Sequence, residues 1–162
     1  MQPRHPYLGF MIVVTILSGA IMMQGCGSTS EATAPFGSTI TINPTTSSIT
    51  GAGVAPACSG IWVDIPFKIT VLDPDGQPMN KASITIDLSW SPNSTHPDLW
   101  RTELYDGDPG TGAPVTVPYQ TTTGSYGVKT VTVRVDSTCP FSGGQLVVMS
   151  GTAYAKADLS VQ

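Results

Sequence analysis

From Thr39 onward the chain repeats one pattern, an apolar residue followed by a polar one. Ile40 and Ile42 alternate with Thr39 and Thr41, and Phe67, Ile69 and Val71 with Lys68 and Thr70. Ile84, Ile86, Leu88 and Trp90 alternate with Ser83, Thr85, Asp87 and Ser89. Val131, Val133 and Val135 do so with Thr130, Thr132 and Arg134, and Ala153, Ala155, Ala157, Leu159 and Val161 with Tyr154, Lys156, Asp158 and Ser160. Successive strand side chains point to opposite faces, so each run buries one face and wets the other. Segments with the 3.6-residue period of a helix are nearly absent. Asp73-Pro-Asp-Gly76, Ser91-Pro-Asn93, Asp106-Gly-Asp-Pro-Gly110 and Ser142-Gly-Gly144 separate the runs as turn or loop sequences. About seven strands separated in this way predict an all-β fold, an antiparallel β-sandwich over residues 39–162. Residues 91–114 carry the weakest strand pattern. They are expected to form a long irregular connection with a short strand between Leu99 and Tyr105.

The N-terminus follows a different pattern. Leu8 to Met23 is an uncharged apolar run preceded by Arg4 and His5, with no acid before Glu31. As a helix its 16 residues extend about 24 Å, short of the roughly 30 Å hydrocarbon core of a bilayer. That length suits the apolar region of an export signal. Met23-Gln-Gly-Cys26 resembles the lipobox of bacterial lipoproteins, in which a signal peptidase cuts before a cysteine whose sulfur carries diacylglycerol. Gly25 and Cys26 match that motif; Met23 stands where Leu is usual, and Gln24 where a small residue is usual. The resemblance implies a signal peptide over 1–25, lipidation at Cys26 and a lipid anchor in the bacterial envelope. An uncleaved anchor helix and cleavage after Ala20 remain as alternatives. Residues 26–38, rich in Gly, Ser, Thr and Ala, are expected to be a flexible tether.

Removing residues 1–25 leaves 137 residues, enough for one domain, and takes away Arg4, so the net charge of −4 becomes −5. The few basic residues form no cluster, which argues against a nucleic-acid partner. With Cys26 lipidated, Cys58 and Cys139 are left as an even pair in an oxidising compartment, which favours a disulfide. The alternative is two separate buried thiols. Neither cysteine has the spacing of a metal or redox motif.

Ile65-Pro-Phe-Lys-Ile-Thr-Val-Leu-Asp-Pro-Asp-Gly-Gln-Pro-Met-Asn-Lys-Ala-Ser-Ile-Thr-Ile86 resembles the bacterial immunoglobulin-like domain of the invasin and intimin type. Asp73, Gly76 and Pro78 match that family's Asp-x-x-Gly-x-Pro turn between two apolar strands. Gly124 to Val133 and Gly151 to Val161 resemble its closing strands. The resemblance implies an immunoglobulin-like fold and an adhesive or structural role. The turn has a physical basis of its own, since Gly76 accepts a positive φ and Pro78 fixes the chain leaving the loop.

Candidate chemistry is sparse. Asp73 with Asp75 and Asp106 with Asp108 are paired acids of the kind that bind Ca²⁺, but turn-making explains both pairs, and no metal or other cofactor is expected. His96 is the one histidine after residue 25, set between Thr95 and Pro97, and no Gly-x-Ser-x-Gly accompanies it. No catalytic residue is therefore expected. Asn93-Ser-Thr95 matches a glycosylation acceptor, a reading the lipobox opposes. Among Trp62, Trp90, Trp100, Tyr105 and Tyr119, Trp90 continues an inward alternation, whereas Trp100 and Tyr105 fall in the long loop and are the expected binding residues. The expectation is a non-catalytic, lipid-anchored envelope protein with a structural, adhesive or partner-binding role. It would lie at the outer membrane, its periplasmic face or the cell surface, and hold a protein or glycan. A carbohydrate or other small-ligand binding module is the alternative.

Overall fold

The computed structural model describes residues 32–51, 58–90 and 101–162. Its strands are β1 (Ala32–Thr33), β2 (Thr39–Asn43), β3 (Thr46–Ile49), β4 (Trp62–Leu72), β5 (Ala82–Trp90), β6 (Thr102–Tyr105), β7 (Pro114–Val115), β8 (Tyr119–Thr122), β9 (Val128–Asp136), β10 (Phe141–Ser150) and β11 (Ala153–Val161). One sheet has the order β2-β4-β9-β6-β7; the other runs β5-β10-β11-β3, with β1 and β8 both pairing β5. The expected signal peptide, Cys26 and the first part of the tether lie outside the described residues. Among the described residues no helix is long and apolar enough to cross a membrane.

The strand order defines an immunoglobulin-like β-sandwich. β2-β4-β9-β6 forms one four-strand unit, and β5-β10-β11 forms the facing three. β8 occupies the extra place beside β5 yet follows β6 in sequence, so the chain crosses between the sheets additional times. Asn43-Pro44 and Val117-Pro118, both cis, stand at two of these crossings, β2 to β3 and β7 to β8. Most pairs are antiparallel, but β1 runs parallel to β5 and β3 parallel to β11. The β5-β10-β11 sheet is thus mixed at both margins, while the other is wholly antiparallel; β3 comes to lie parallel to β11 because β2 and β3 are successive parts of one strand path divided between the two sheets.

The alternating positions read from the sequence are the core. Phe67, Ile69 and Val71 of β4 face Ile84 and Ile86 of β5 and Leu146 and Val148 of β10 inside one apolar cluster. Val131, Val133 and Val135 of β9 and Ala157, Leu159 and Val161 of β11 complete it. Burying a side chain such as Phe67, fully inaccessible here, stabilises by roughly 1.5–3 kcal/mol.

Three elements differ from expectation. Ser142-Gly-Gly144, expected as a turn, lies within β10, where a register shift between Phe141 and Gly144 forms a bulge and Gly143 takes φ +76°. Beyond the bulge the alternation of β10 is interrupted at Val147, which is buried although it lies on the outer side. β3, Thr-Ser-Ser-Ile, was not expected; as a margin strand it places only Ser47 and Ile49 partly inward. Residues ahead of Thr39 also join the sandwich: β1 pairs with the start of β5, and Ala34 is buried with its amide N–H donating to Ser150 Oγ at 3.0 Å.

The Asp73 turn has the form the sequence implied. Gly76 N–H donates to the Asp73 carbonyl at 3.0 Å, and Asp73 Oδ1 accepts from the Asp75 and Gln77 amides. Gly76 has φ +78° with open space around a hypothetical Cβ, whereas Gly127 has φ +65° and a Cβ there would lie 2.5 Å from the Val71 carbonyl oxygen. Gly76→Ala is therefore expected to cost about 1 kcal/mol in urea unfolding, and Gly127→Ala about 2 kcal/mol or more. Equal costs at the two sites would contradict the close backbone approach at Gly127.

Candidate functional site

The outer face of the β2-β4-β9-β6 sheet carries the densest polar grouping. Cross-strand register puts Asp64 opposite Arg134 and Arg134 opposite Glu103, so one guanidinium stands between two acids on three adjacent strands. Arg134 donates Nε to Asp64 Oδ1 at 2.7 Å and Nη2 to Asp64 Oδ2 at 3.0 Å, a two-point pair. The hydrogen bond from Arg134 holds Asp64 below the ordinary carboxylate range, and Asp64 in turn raises Arg134. The Arg134 guanidinium carbon also lies 5.0 Å from the Tyr105 ring centroid. Tyr105 OH donates to Glu103 Oε2 at 2.7 Å, and that bond, with burial, raises the Tyr105 pKa.

Two residue pairs further along, on the same face, Pro66 lies opposite Thr132. β2 pairs only with Lys68–Leu72, so Pro66 sits past the end of that ladder, where a strand tolerates a missing N–H. Loop 106–110 folds back over this part of the face. Thr132 Oγ1 donates to the Gly107 carbonyl at 2.6 Å, and Asp106 takes Lys129 Nζ at 2.6 Å and Tyr119 OH at 2.7 Å. Burial works to raise Asp106, but Lys129 and Tyr119 outweigh it and lower its pKa. Between loop and sheet lies an open cleft of about 340 Å³, lined by Asp64, Pro66, Thr130, Thr132 and Gly107–Pro109. It presents threonine hydroxyls and proline carbons, and no titratable pair poised for proton transfer.

A second polar cluster closes one end of the sandwich. Cys58 and Cys139 are joined by a disulfide with Cα atoms 4.6 Å apart. Beside it Asp136, 1% exposed, ends β9. Its Oδ2 accepts from the Gly60 amide at 2.9 Å, its Oδ1 accepts from the Thr138 amide at 3.0 Å and from Thr138 Oγ1 at 2.6 Å, and Arg101 Nη1 lies 3.6 Å away. Burial works to raise its pKa; the Thr138 and Gly60 hydrogen bonds and Arg101 prevail and lower it. This carboxylate binds the segment before β4 to the turn after β9.

The expected site residues separate. Trp100, His96 and Asn93 lie outside the described residues, as does Cys26. Tyr105 is not the exposed loop residue the sequence suggested: it ends β6, is 5% exposed and packs beneath Arg134, so its proposed role as an exposed binding ring is withdrawn. The loop pattern misled because in the four-residue β6 the buried residues Leu104 and Tyr105 are adjacent, on opposite faces, and give no alternation. Asp73 and Asp108 each accept amide hydrogen bonds within their own turns. Among the described residues no group of three or more His, Cys, Asp or Glu converges as a metal site. Asp64, Arg134 and Asp136 were not singled out from the sequence. A signal existed for Asp136 in Val135-Asp-Ser-Thr138, an acid followed two residues later by a threonine at a strand end. None existed for Arg134, because its partners come from two other strands.

No family model matches this sequence, and no curated protein does. Among solved structures, the fold is similar to a conjugative transposon lipoprotein of Bacteroides eggerthii DSM 20697 at 7% identity and TM-score 0.45, covering 77% of this chain and 98% of that one. It is similar to WR4, a C. elegans MSP family member, at 8% identity and TM-score 0.43, covering 76% and 97%. The ASH/PapD-like domain 7 of human CEP192 follows at 11% identity and TM-score 0.40, covering 85% and 94%. At these values the likenesses carry no conclusion about what this chain does.

The lowered acids make the domain acid-sensitive. A carboxylate depressed below its unfolded pKa of 3.8 contributes in full above that value and loses its contribution as pH falls through the folded pKa. Stability in urea is expected to hold down to about pH 5 and to fall steadily below about pH 4. Asp136→Asn, which opposes the Gly60 or Thr138 amides with an NH₂, is expected to cost about 1–3 kcal/mol at neutral pH and to flatten the acid limb. An acid limb unchanged in this variant would show that Asp136 does not drive the effect.

Proposed function

We propose that this chain is a lipid-anchored, non-catalytic protein of the bacterial envelope. In this reading Cys26 carries the lipid, and the immunoglobulin-like domain is a rigid platform that holds a protein or glycan partner at the outer membrane, its periplasmic face or the cell surface. The resemblance of residues 65–88 to invasin and intimin domains supports an adhesive variant of the same role. Against a catalytic reading, the three most engaged acids are committed to structure: Asp64 to Arg134, Asp106 to Lys129 and Tyr119, Asp136 to backbone amides.

The observation that carries the binding reading is the Met149 and Tyr154 pair. They are register partners in the β10–β11 ladder, 40% and 57% exposed, on an outer sheet face whose neighbouring positions are polar apart from the buried Val147. Thr85 lies opposite Met149 on the other side, and the Gln145–Asp158 hydrogen bond of 3.0 Å lies further along the same ladder. A rigid aromatic beside an adaptable thioether, ringed by polar groups, is the composition of an interface centre. The cleft beneath loop 106–110 supports the second reading, a carbohydrate or small-ligand module. Its volume is at the low end of ligand sites, and Thr130 and Thr132 offer hydroxyls, but no ring lines it for stacking.

Two measurements test this. Mass spectrometry of the N-terminal peptide is expected to find acylated Cys26; an intact Met1 on the membrane-bound protein would replace the lipid anchor with an anchor helix. In cross-linked envelopes, Tyr154→Ala is expected to lose the principal adduct while its unfolding free energy moves within about 0.5 kcal/mol, as for exposed positions. Loss of the adduct in Thr130→Ala instead would favour the cleft.

A further inference from the structure

The two most exposed large apolar side chains among the described residues stand at the same end of the sandwich. Phe36 is 88% exposed in the β1–β2 connection, and Tyr126 is 81% exposed in the 3₁₀ turn Ser125–Gly127. Loops that meet here fix that placement. Ser38 Oγ lies 3.8 Å from Met79 Sδ, Thr123 Oγ1 donates to the Met79 carbonyl at 2.5 Å, and Lys81 N–H donates to the Thr123 carbonyl at 3.0 Å. A Cβ on Gly127 would touch Met79 N and Pro78, and a Cβ on Gly37 would meet Pro74. Tyr126 has φ +62°, a left-handed conformation that non-glycine residues, aromatics above all, seldom adopt. The backbone thus holds an aromatic ring outward at a tip where a glycine or asparagine fits more easily.

This is also the end where the chain enters the domain. β1 begins at Ala32 and pairs with Ala82, the first residue of β5. From Cys26 to Ala32 there are six residues, which reach no more than about 20 Å even when fully extended. β4, of 11 residues, runs about 36 Å from this end to Trp62 near the disulfide. A lipid on Cys26 therefore keeps the Phe36 and Tyr126 end within about 20 Å of the bilayer, a constraint it does not place on the disulfide end.

We infer that Phe36 and Tyr126 seat this end of the domain in the membrane interface, with a bilayer surface as the occupant of the patch. The inference rests on the lipid anchor proposed above. Aromatic rings are favoured at the headgroup level, where an apolar body meets a polar tip, and they would add a second membrane contact to that of the covalent lipid. Charge is not the attraction. Lys81 shares the β4–β5 connection at this end with Asp73 and Asp75, and the chain as a whole is acidic. Seating on zwitterionic and on anionic lipid should therefore be alike.

The test uses the full lipidated chain in phosphatidylcholine vesicles with brominated acyl chains, and the single variants Phe36→Trp, Tyr126→Trp and Ile61→Trp. Ile61, 48% exposed, lies at the disulfide end, and the emission of wild-type protein provides the native tryptophan background. The added emission at 36 and 126 is expected to drop by about half, consistent with burial roughly 5–10 Å into the headgroup and acyl boundary, while that at 61 is unchanged. Protein that co-sediments with vesicles but is quenched equally at all three positions, or at none, overturns the seating and leaves the anchor standing. Protein that does not co-sediment and has an unacylated N-terminal peptide overturns both.

Discussion

The register of β4 against β9 is the constraint on which the rest of the domain depends. Trp62 opposite Asp136 through Thr70 opposite Val128 sets both faces of the ladder at once. Inward it stacks Phe67 beside Val131 and Val133 in the core; outward it brings Asp64 to Arg134 and Pro66 to Thr132. At its end it delivers Asp136 to the amide of Gly60 and the turn to Cys139. Because side chains alternate with period two, a slip of β4 by one residue would expose Phe67 and bury Asp64. The apolar alternation penalises that slip by several kcal/mol on its own, and the two-point Arg134 pair adds direction without being a large stabiliser at an exposed site.

The same alternation explains how much of the fold could be read from residues alone. β2, β4, β5, β9 and β11 are legible because each has one dry and one wet face. β10 is not, because it is central in its sheet and Val147 is buried on the outer side, leaving Leu146-Val-Val148 as an unbroken apolar run behind two glycines. β1 and β3 are not, because marginal strands contribute backbone pairing and almost no apolar surface. The polar clusters were less legible still. Arg134 takes its meaning from Asp64, 70 residues earlier in the chain, and from Glu103 on a third strand. Residues at such separations become neighbours only through register. Tyr105 was misread for the same reason: its burial comes from Arg134, not from its own flanking sequence.

The two ends of the sandwich are closed by different physics. At one, a disulfide and a buried carboxylate replace apolar packing, and the bond closes a loop of 81 residues, for which chain entropy sets an upper estimate of roughly 4–5 kcal/mol. At the other, closure comes from backbone approaching backbone at Gly127, and from Thr123 bonding both the Met79 carbonyl and the Ala82 amide. The second kind of closure leaves no room for large side chains inside the turn, so the bulky residues that occur there, Phe36 and Tyr126, project outward. Exposed rings at that end are a geometric consequence of tight turns, and their proximity to the chain's point of entry decides what they meet.

An unusual economy of charge links these features. The folded part carries few ionisable groups, and Asp64, Asp106 and Asp136 are engaged by Arg134, by Lys129 and Tyr119, and by backbone amides. A surface built mainly from Thr, Ser and Asn remains wet without long-range fields, which removes electrostatic steering as a means of finding a partner. Recognition by such a surface has to rely on shape and on a few apolar groups at fixed positions. The outward pair Met149 and Tyr154 and the outward pair Phe36 and Tyr126 meet that condition on different parts of the domain, one on a sheet face and one at the end where the chain enters. Thr85, opposite Met149, stands only three residues from Ala82 at that end, so the two regions lie close together and a domain seated at one would present the other in a fixed orientation.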